Sequence, residues 1–164
     1  MPISVIISCV HSSYMQRAVE LSLENVKSGR GGPFAAVIAK NGEIVAEGVN
    51  EVTSRNDPSA HAEVSAIREA CRKLKTFQLS GCEIYTSCEP CPMCLGLIYW
   101  SRLDRVYYAN TAADAARIGF DDALIYRELA KPTEERNLPM QQLMRAEAQA
   151  AFDEWEKKPD KVRY

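Results

Sequence analysis

The sequence predicts an α/β chain: a three-layer α/β/α sandwich around a central mixed sheet of about five strands. Three observations predict it. Runs with helical spacing alternate with short β-rich runs along the chain. Two of the β-rich runs flank an Asn41-Gly42 turn. The 164 residues are 46% hydrophobic and 26% charged, ordinary for one soluble domain with a real core.

The elements follow in order. Residues 1–10 (MPISVIISCV) are apolar but lack a basic leader, a long apolar run and a small-residue cleavage site, so residues 1–12 read as an edge strand or an extension and not as a signal peptide. Ser13 and Gln16 form a capping box, after which Met15, Val19, Leu23 and Val26 recur at helical spacing until Gly29. Residues 34–40 and 43–49 form the hairpin. A helix is expected over 59–74, with Ile67, Ala70, Cys71 and Leu74 on its apolar side. Residues 82–87 read as a strand, Pro90 and Pro92 open a helix running to Arg102, and 105–109 form a further strand. The remainder is helical, broken at Pro132 and Pro139, with a charged tail over 157–164. No repeat, linker or low-complexity stretch divides residues 1–164.

Composition excludes several classes. Net charge is −2 and no lysine or arginine run appears, which argues against a nucleic-acid backbone binder. No stretch reaches the ~18 apolar residues of a membrane span, so a cytoplasmic location is expected. Three of the six cysteines fall in Cys88-Glu-Pro-Cys91-Pro-Met-Cys94, a spacing that reads as metal-binding or redox in a reducing compartment. Cys9, Cys71 and Cys82 read as small buried hydrophobes.

The chemistry is expected at two helix starts. His61-Ala62-Glu63 opens one, and Cys91 follows His61 by 30 residues at the start of the other. Within a regular helix His61 and Glu63 would diverge by about 200°, but at a first turn both can reach an object off the helix end. Cys91 and Cys94 are neighbours on one helical face and can chelate one ion. One histidine and two thiolates make a zinc site with an open fourth position, the pattern of catalytic zinc. Two helix amino termini converging there favour anions. Zinc with two thiolates and a neutral imidazole carries no net charge and is a weak acid catalyst, so a nearby proton acceptor is needed. Glu63 is placed to be one.

His-Ala-Glu followed by Pro-Cys-x-x-Cys resembles the signature of the zinc-dependent cytidine and nucleobase deaminases. Within that superfamily the chain is most similar to bacterial guanine deaminases of the cytidine-deaminase fold. The resemblance runs through GGPFAAVI (31–38), NDPSAHAEVSAIR (56–68), YTSCEPCPMCLGLIYW (85–100), GFDDALIY (119–126) and the terminal Tyr164. It implies one zinc ion per subunit on His61, Cys91 and Cys94, and Glu63 as proton shuttle. It also implies Asp122 as a second acid near the substrate amine, and Asn50, Phe34 and Ala62 as base contacts. The implied assembly is a homodimer whose C-terminal tail crosses to the partner and lays Tyr164 over its site. A guanine substrate suits these residues: Asn50 can pair with the base edge through both amide donor and acceptor, and an aromatic lid excludes water.

Plainer readings stand beside these. Cys88 has the spacing of a fourth ligand, which would close the site into structural zinc without catalysis. Asn50 could be a turn residue, Asp122 a helix cap, Tyr164 a frayed terminus, Phe34 and Trp100 core or pocket wall, and His11 surface. Guanosine, cytosine and adenosine in tRNA are alternative substrates, the last requiring a basic surface.

Overall fold

The structure is a computed structural model in which residues 3–163 are described, with side chains from Val10 onward. The chain divides into two compact units, Met1–Asp122 and Ala123–Tyr164.

The first unit is built on a four-stranded mixed sheet. Strands β1 (Ala35–Lys40) and β2 (Glu43–Val49) form the expected antiparallel hairpin about Asn41 and Gly42, both with positive φ as such a turn demands. Strand β3 (Cys82–Cys88) runs antiparallel to β1, and β4 (Arg105–Asn110) lies parallel to β3, giving the order β2-β1-β3-β4. Among the described residues the sheet has four strands instead of about five, because none after β4 adds a strand to it.

Period-two alternation sorts the side chains onto two faces. Ala36, Ile38, Ala46, Cys82 and Ile84 meet helices α3 (Ala62–Leu74) and α4 (Pro92–Trp100) through Ala62, Ala66, Ile67, Ala70 and Ile98. On the other face Ala35, Val37, Ala39 and Tyr85 meet Tyr14, Ala18 and Leu21 of α1 (Ile3–Ser28). Both faces are thus covered, which buries β1 almost throughout. Gly48 permits the tight fit of α3: a Cβ there would lie 2.3 Å from the Ala62 carbonyl oxygen and 2.5 Å from the Ala66 nitrogen. That contact fixes the first turn of α3 against β2. Two short helices, α2 (Val52–Arg55) and α5 (Ala112–Arg117), complete the unit. The Thr111 and Asp114 side chains close a capping box on α5.

The second unit contains α6 (Ala123–Leu129), a 3-10 turn over Thr133–Glu135 and α7 (Arg145–Lys157). α7 buries none of its residues, and Phe152 is 72% exposed.

Three sequence expectations change. Helix α1 begins at Ile3, so residues 3–12 are helical; Ser13 lies mid-helix, and its hydroxyl donates back to the Val10 carbonyl (2.8 Å) instead of capping. The stripe Met15, Val19, Leu23, Val26 is not the buried one: Leu23 is 57% exposed, while Tyr14, Ala18, Leu21 and Asn25 face inward. His11 is not a simple surface residue, since its Nδ1 pairs with the Tyr85 hydroxyl at 2.5 Å and its ring packs on Tyr107. Cys82 is buried and Cys71 half-buried, as expected, whereas the Cys9 side chain falls outside the described residues. No helix among the described residues is long and apolar enough to cross a membrane.

Candidate active site

Both metal-type motifs land on helix N-caps. His61 caps α3 with an extended backbone (φ −71°, ψ 157°), and Cys91 caps α4 in nearly the same conformation (φ −66°, ψ 168°) with Pro92 pre-setting the first turn. An extended cap swings its side chain off the helix end while its carbonyl starts the ladder, accepting from Ser65 N at 3.0 Å and Leu95 N at 2.8 Å respectively. Cys94, in the first turn of α4, is fully buried.

The three side chains converge. His61 Nδ1 lies 3.6 Å from Cys91 Sγ and 3.5 Å from Cys94 Sγ, and all three donor atoms are within 4.8 Å of one another. The sulfurs share a proton unequally. A hydrogen bond from Cys94, reinforced by His61, overcomes burial and holds the Cys91 thiol down to about 4, while the Cys94 thiol is pushed far up. The hydrogen bond to Cys91 raises the His61 imidazole despite its burial. A ready thiolate, a second sulfur and a ring nitrogen facing one point form the donor set of a zinc ion with one position left open. The site fits one zinc per subunit.

Cys88 does not complete a fourth corner. Its thiol is directed to the Thr111 carbonyl (3.5 Å), and among the described residues the donor cluster consists of His61, Cys91 and Cys94 alone. Burial pushes the Cys88 thiol up to about 11, the state of a structural cysteine.

Glu63 lies in the first turn of α3, 8% exposed, two residues after the His61 cap. Burial raises its carboxyl above the ordinary range, with the Cys91 charge adding to the shift. A buried carboxyl is a group type suited to taking and returning a proton. Asp122 is half-buried; burial and, after it, the Cys91 charge raise its carboxyl, which places it within the field of the metal-type cluster.

The residues expected to contact a base lie on and around the end of the hairpin. Asn50 ends the hairpin, buried, and its Oδ1 accepts from Gly32 N (3.2 Å) and Val52 N (3.3 Å). The acceptor being occupied, Asn50 offers a ligand only its Nδ2 donors, where sequence reasoning gave it both. Phe34 packs partly into the core and meets Phe120 edge-on, with ring centroids 4.9 Å apart. Ala62 is buried at the start of α3, its carbonyl close against Gly48 of β2. Tyr164 lies outside the described residues. Trp100, read as core or pocket wall, is 60% exposed at the end of α4.

Sequence reasoning missed Phe120 and Asn25. Phe120 sits in the matched stretch GFDD, two positions before Asp122, and pairing with Phe34 could only be seen in space. Asn25 gave a single signal, a polar residue one position before a helical apolar residue.

Known proteins resemble the chain in sequence and fold. The guanine deaminase of Bacillus subtilis is 53% identical over 154 residues, 94% of this chain and 99% of that protein. Its X-ray structure matches with a TM-score of 0.91, covering 94% of this chain and 98% of its own. A guanine deaminase from Nitrosomonas europaea matches with a TM-score of 0.64 at 37% identity, over 66% of this chain and 63% of that one. The tRNA-specific adenosine deaminase of Aquifex aeolicus is 47% identical over 77 residues, 47% of this chain and 51% of its length. Residues 9–110, which carry every donor of the metal-type cluster, match the cytidine and deoxycytidylate deaminase zinc-binding region, and the chain belongs to that family.

Proposed function

We propose that the chain is a zinc-dependent aminohydrolase that converts guanine to xanthine and ammonia. One observation carries the reading: a buried carboxyl at Glu63 in the first turn of the helix that His61 caps, beside three convergent zinc donors, in a chain 53% identical to a guanine deaminase.

His61, Cys91 and Cys94 hold the ion. A zinc ion held there would supply Lewis acidity toward a water molecule. Glu63 accepts one proton from the water and passes it to ring nitrogen N3 as the oxygen adds to C2. It then takes the second water proton and delivers it to the exocyclic amine. The C2–N bond breaks, and ammonia and xanthine leave; water and guanine are fully accounted for. Asp122, its carboxyl raised by burial, receives amine hydrogens as the nitrogen pyramidalises. Asn50 donates through Nδ2 to an acceptor on the base edge. Phe34 and Phe120 bound the ring, Ala62 leaves room for it, and Tyr164 supplies the aromatic cover.

The same reading makes the protein a cytoplasmic homodimer that takes a free nucleobase. The exposed apolar residues of α7, Phe152 among them, suit a second copy and support a tail that crosses between subunits. The test is ammonia release and ultraviolet change with guanine, guanosine, cytosine and adenine as substrates of the zinc-loaded protein. Turnover confined to guanine is expected; turnover of guanosine or cytosine in its place would keep the mechanism and overturn the substrate.

A further inference from the structure

We propose that Asn25, in helix α1 behind the pocket wall, is a positioning residue that locks Asn50 and the Gly31-Gly32 loop into one rigid base-recognition surface. The proposal rests on the guanine reading above.

Asn25 is fully buried among the apolar residues of α1 that face the sheet. Its single amide group donates twice, to the Gly32 carbonyl at 2.8 Å and to the Asn50 carbonyl at 2.8 Å. Those two residues are also tied directly, because Gly32 N donates to Asn50 Oδ1 at 3.2 Å. Phe34 joins the set from both ends: its nitrogen donates to Gly32 O at 2.8 Å and its carbonyl accepts from Asn50 N at 3.0 Å. The fit is close enough that a Cβ on Gly31 would lie 2.2 Å from the Asn50 carbonyl oxygen and 2.8 Å from its Oδ1. Asn50 and Phe34, the two residues assigned to the base, therefore share one anchor in α1.

The chemistry required at position 25 is narrow. Two carbonyl oxygens face one short side chain, and only a neutral amide brings two hydrogens to both. Aspartate has the same shape but puts an acceptor against two acceptors. Leucine branches at the same carbon, is larger and donates nothing. Meanwhile Asn25 Oδ1 is buried with no hydrogen-bond partner, a cost that packing alone would remove by choosing an apolar residue. The amide is retained where stability gains from it only in part, and what it holds in place is the recognition wall.

Asn25→Leu and Asn25→Asp, each zinc-loaded and compared with the parent, test this. Steady-state kinetics on guanine should show KM raised about tenfold for Asn25→Leu with kcat changed less than about threefold, because the loops move while Glu63 and the zinc donors on α3 and α4 do not. Asn25→Asp should be the worse of the two; if it fails to fold, Asn25→Leu decides alone. Amide exchange over residues 31–34 and 50–52 should quicken by about tenfold, with zinc content unchanged. An unchanged KM in zinc-loaded Asn25→Leu overturns the proposal, as does a loss that falls on kcat alone or that tracks zinc. A parent protein inert to guanine sinks the reaction reading only. The anchor is then decided by the exchange rates, faster if it holds and unchanged if it does not.

Discussion

The two faces of the sheet carry opposite lessons. On the α3 and α4 face, the residues that look chemical are brought together: His61 and Cys91, half-buried, and Cys94, buried, converge within 4.8 Å, and Glu63 is buried in the same first turn of α3. On the α1 face, most of the apolar stripe that the spacing picks out is turned outward. Val19, Leu23 and Val26 are exposed, while the inward positions include Ala18, whose small size lets the helix approach, and polar Asn25. Burial in α1 is decided by fit to the sheet and by what the loops behind it need, and apolar spacing alone does not choose between two neighbouring stripes.

The largest effects should separate the faces outright. Cys91→Ala and Cys94→Ala should each retain less than about 0.1 zinc per chain by metal analysis and show only background turnover, since two ligands do not hold the ion. No substitution in α1 should do this. On the α1 face the sharper contrast is in stability. Leu21→Ala should cost about 2 kcal/mol or more in thermal or denaturant unfolding, whereas Leu23→Ala should stay within about 0.5 kcal/mol. Equal costs would mean that the exposed stripe is covered and the comparison wrong. A smaller effect is expected at Cys88. Cys88→Ala should leave about one zinc per chain and cost about 1 kcal/mol, because its thiol serves the Thr111 carbonyl and not the ion; loss of zinc would restore the closed structural site.

The smallest effect concerns the loop that delivers His61. Asp57 accepts from Ser59 Oγ (2.7 Å) and Ser59 N (2.8 Å), and these bonds hold its carboxyl below the usual carboxylate range. A carboxyl depressed in the folded state stabilises fully above its unfolded value, about 3.9, and that stabilisation is lost as pH falls through the lower folded value. Asp57→Asn should therefore lower neutral stability slightly and flatten the acid limb, parent and variant converging as pH falls below the folded value. An identical acid limb in the variant would show that the turn does not matter to folding.

The hairpin over residues 35–49 was legible because Asn-Gly turns and β-rich runs are local signals, and β1 to β2 pair across that turn. The zinc donors were legible because residue type and spacing encode chelation directly. The start of α1 was not, since a Ser-x-x-Gln pattern states a local preference that a continuing helix overrides. Cys88 stayed ambiguous in sequence because spacing cannot say where a thiol points. Asn25 and Phe120 were hidden for a different reason: their partners, Gly32 and Asn50 in one case and Phe34 in the other, are assembled only by the tertiary fold. The donor-only character of Asn50 depends likewise on backbone N–H groups of Gly32 and Val52 that no side-chain motif announces.

The central claim is that one buried carboxylate moves the protons of a zinc-assisted deamination, and Glu63→Gln tests it most directly. Guanine conversion to xanthine should be followed by ultraviolet absorbance in parent and variant, with zinc measured in the same samples. The account predicts about one zinc per chain in both and a fall in kcat of about 10²- to 10⁴-fold in the variant. Undiminished turnover by zinc-loaded Glu63→Gln would contradict it.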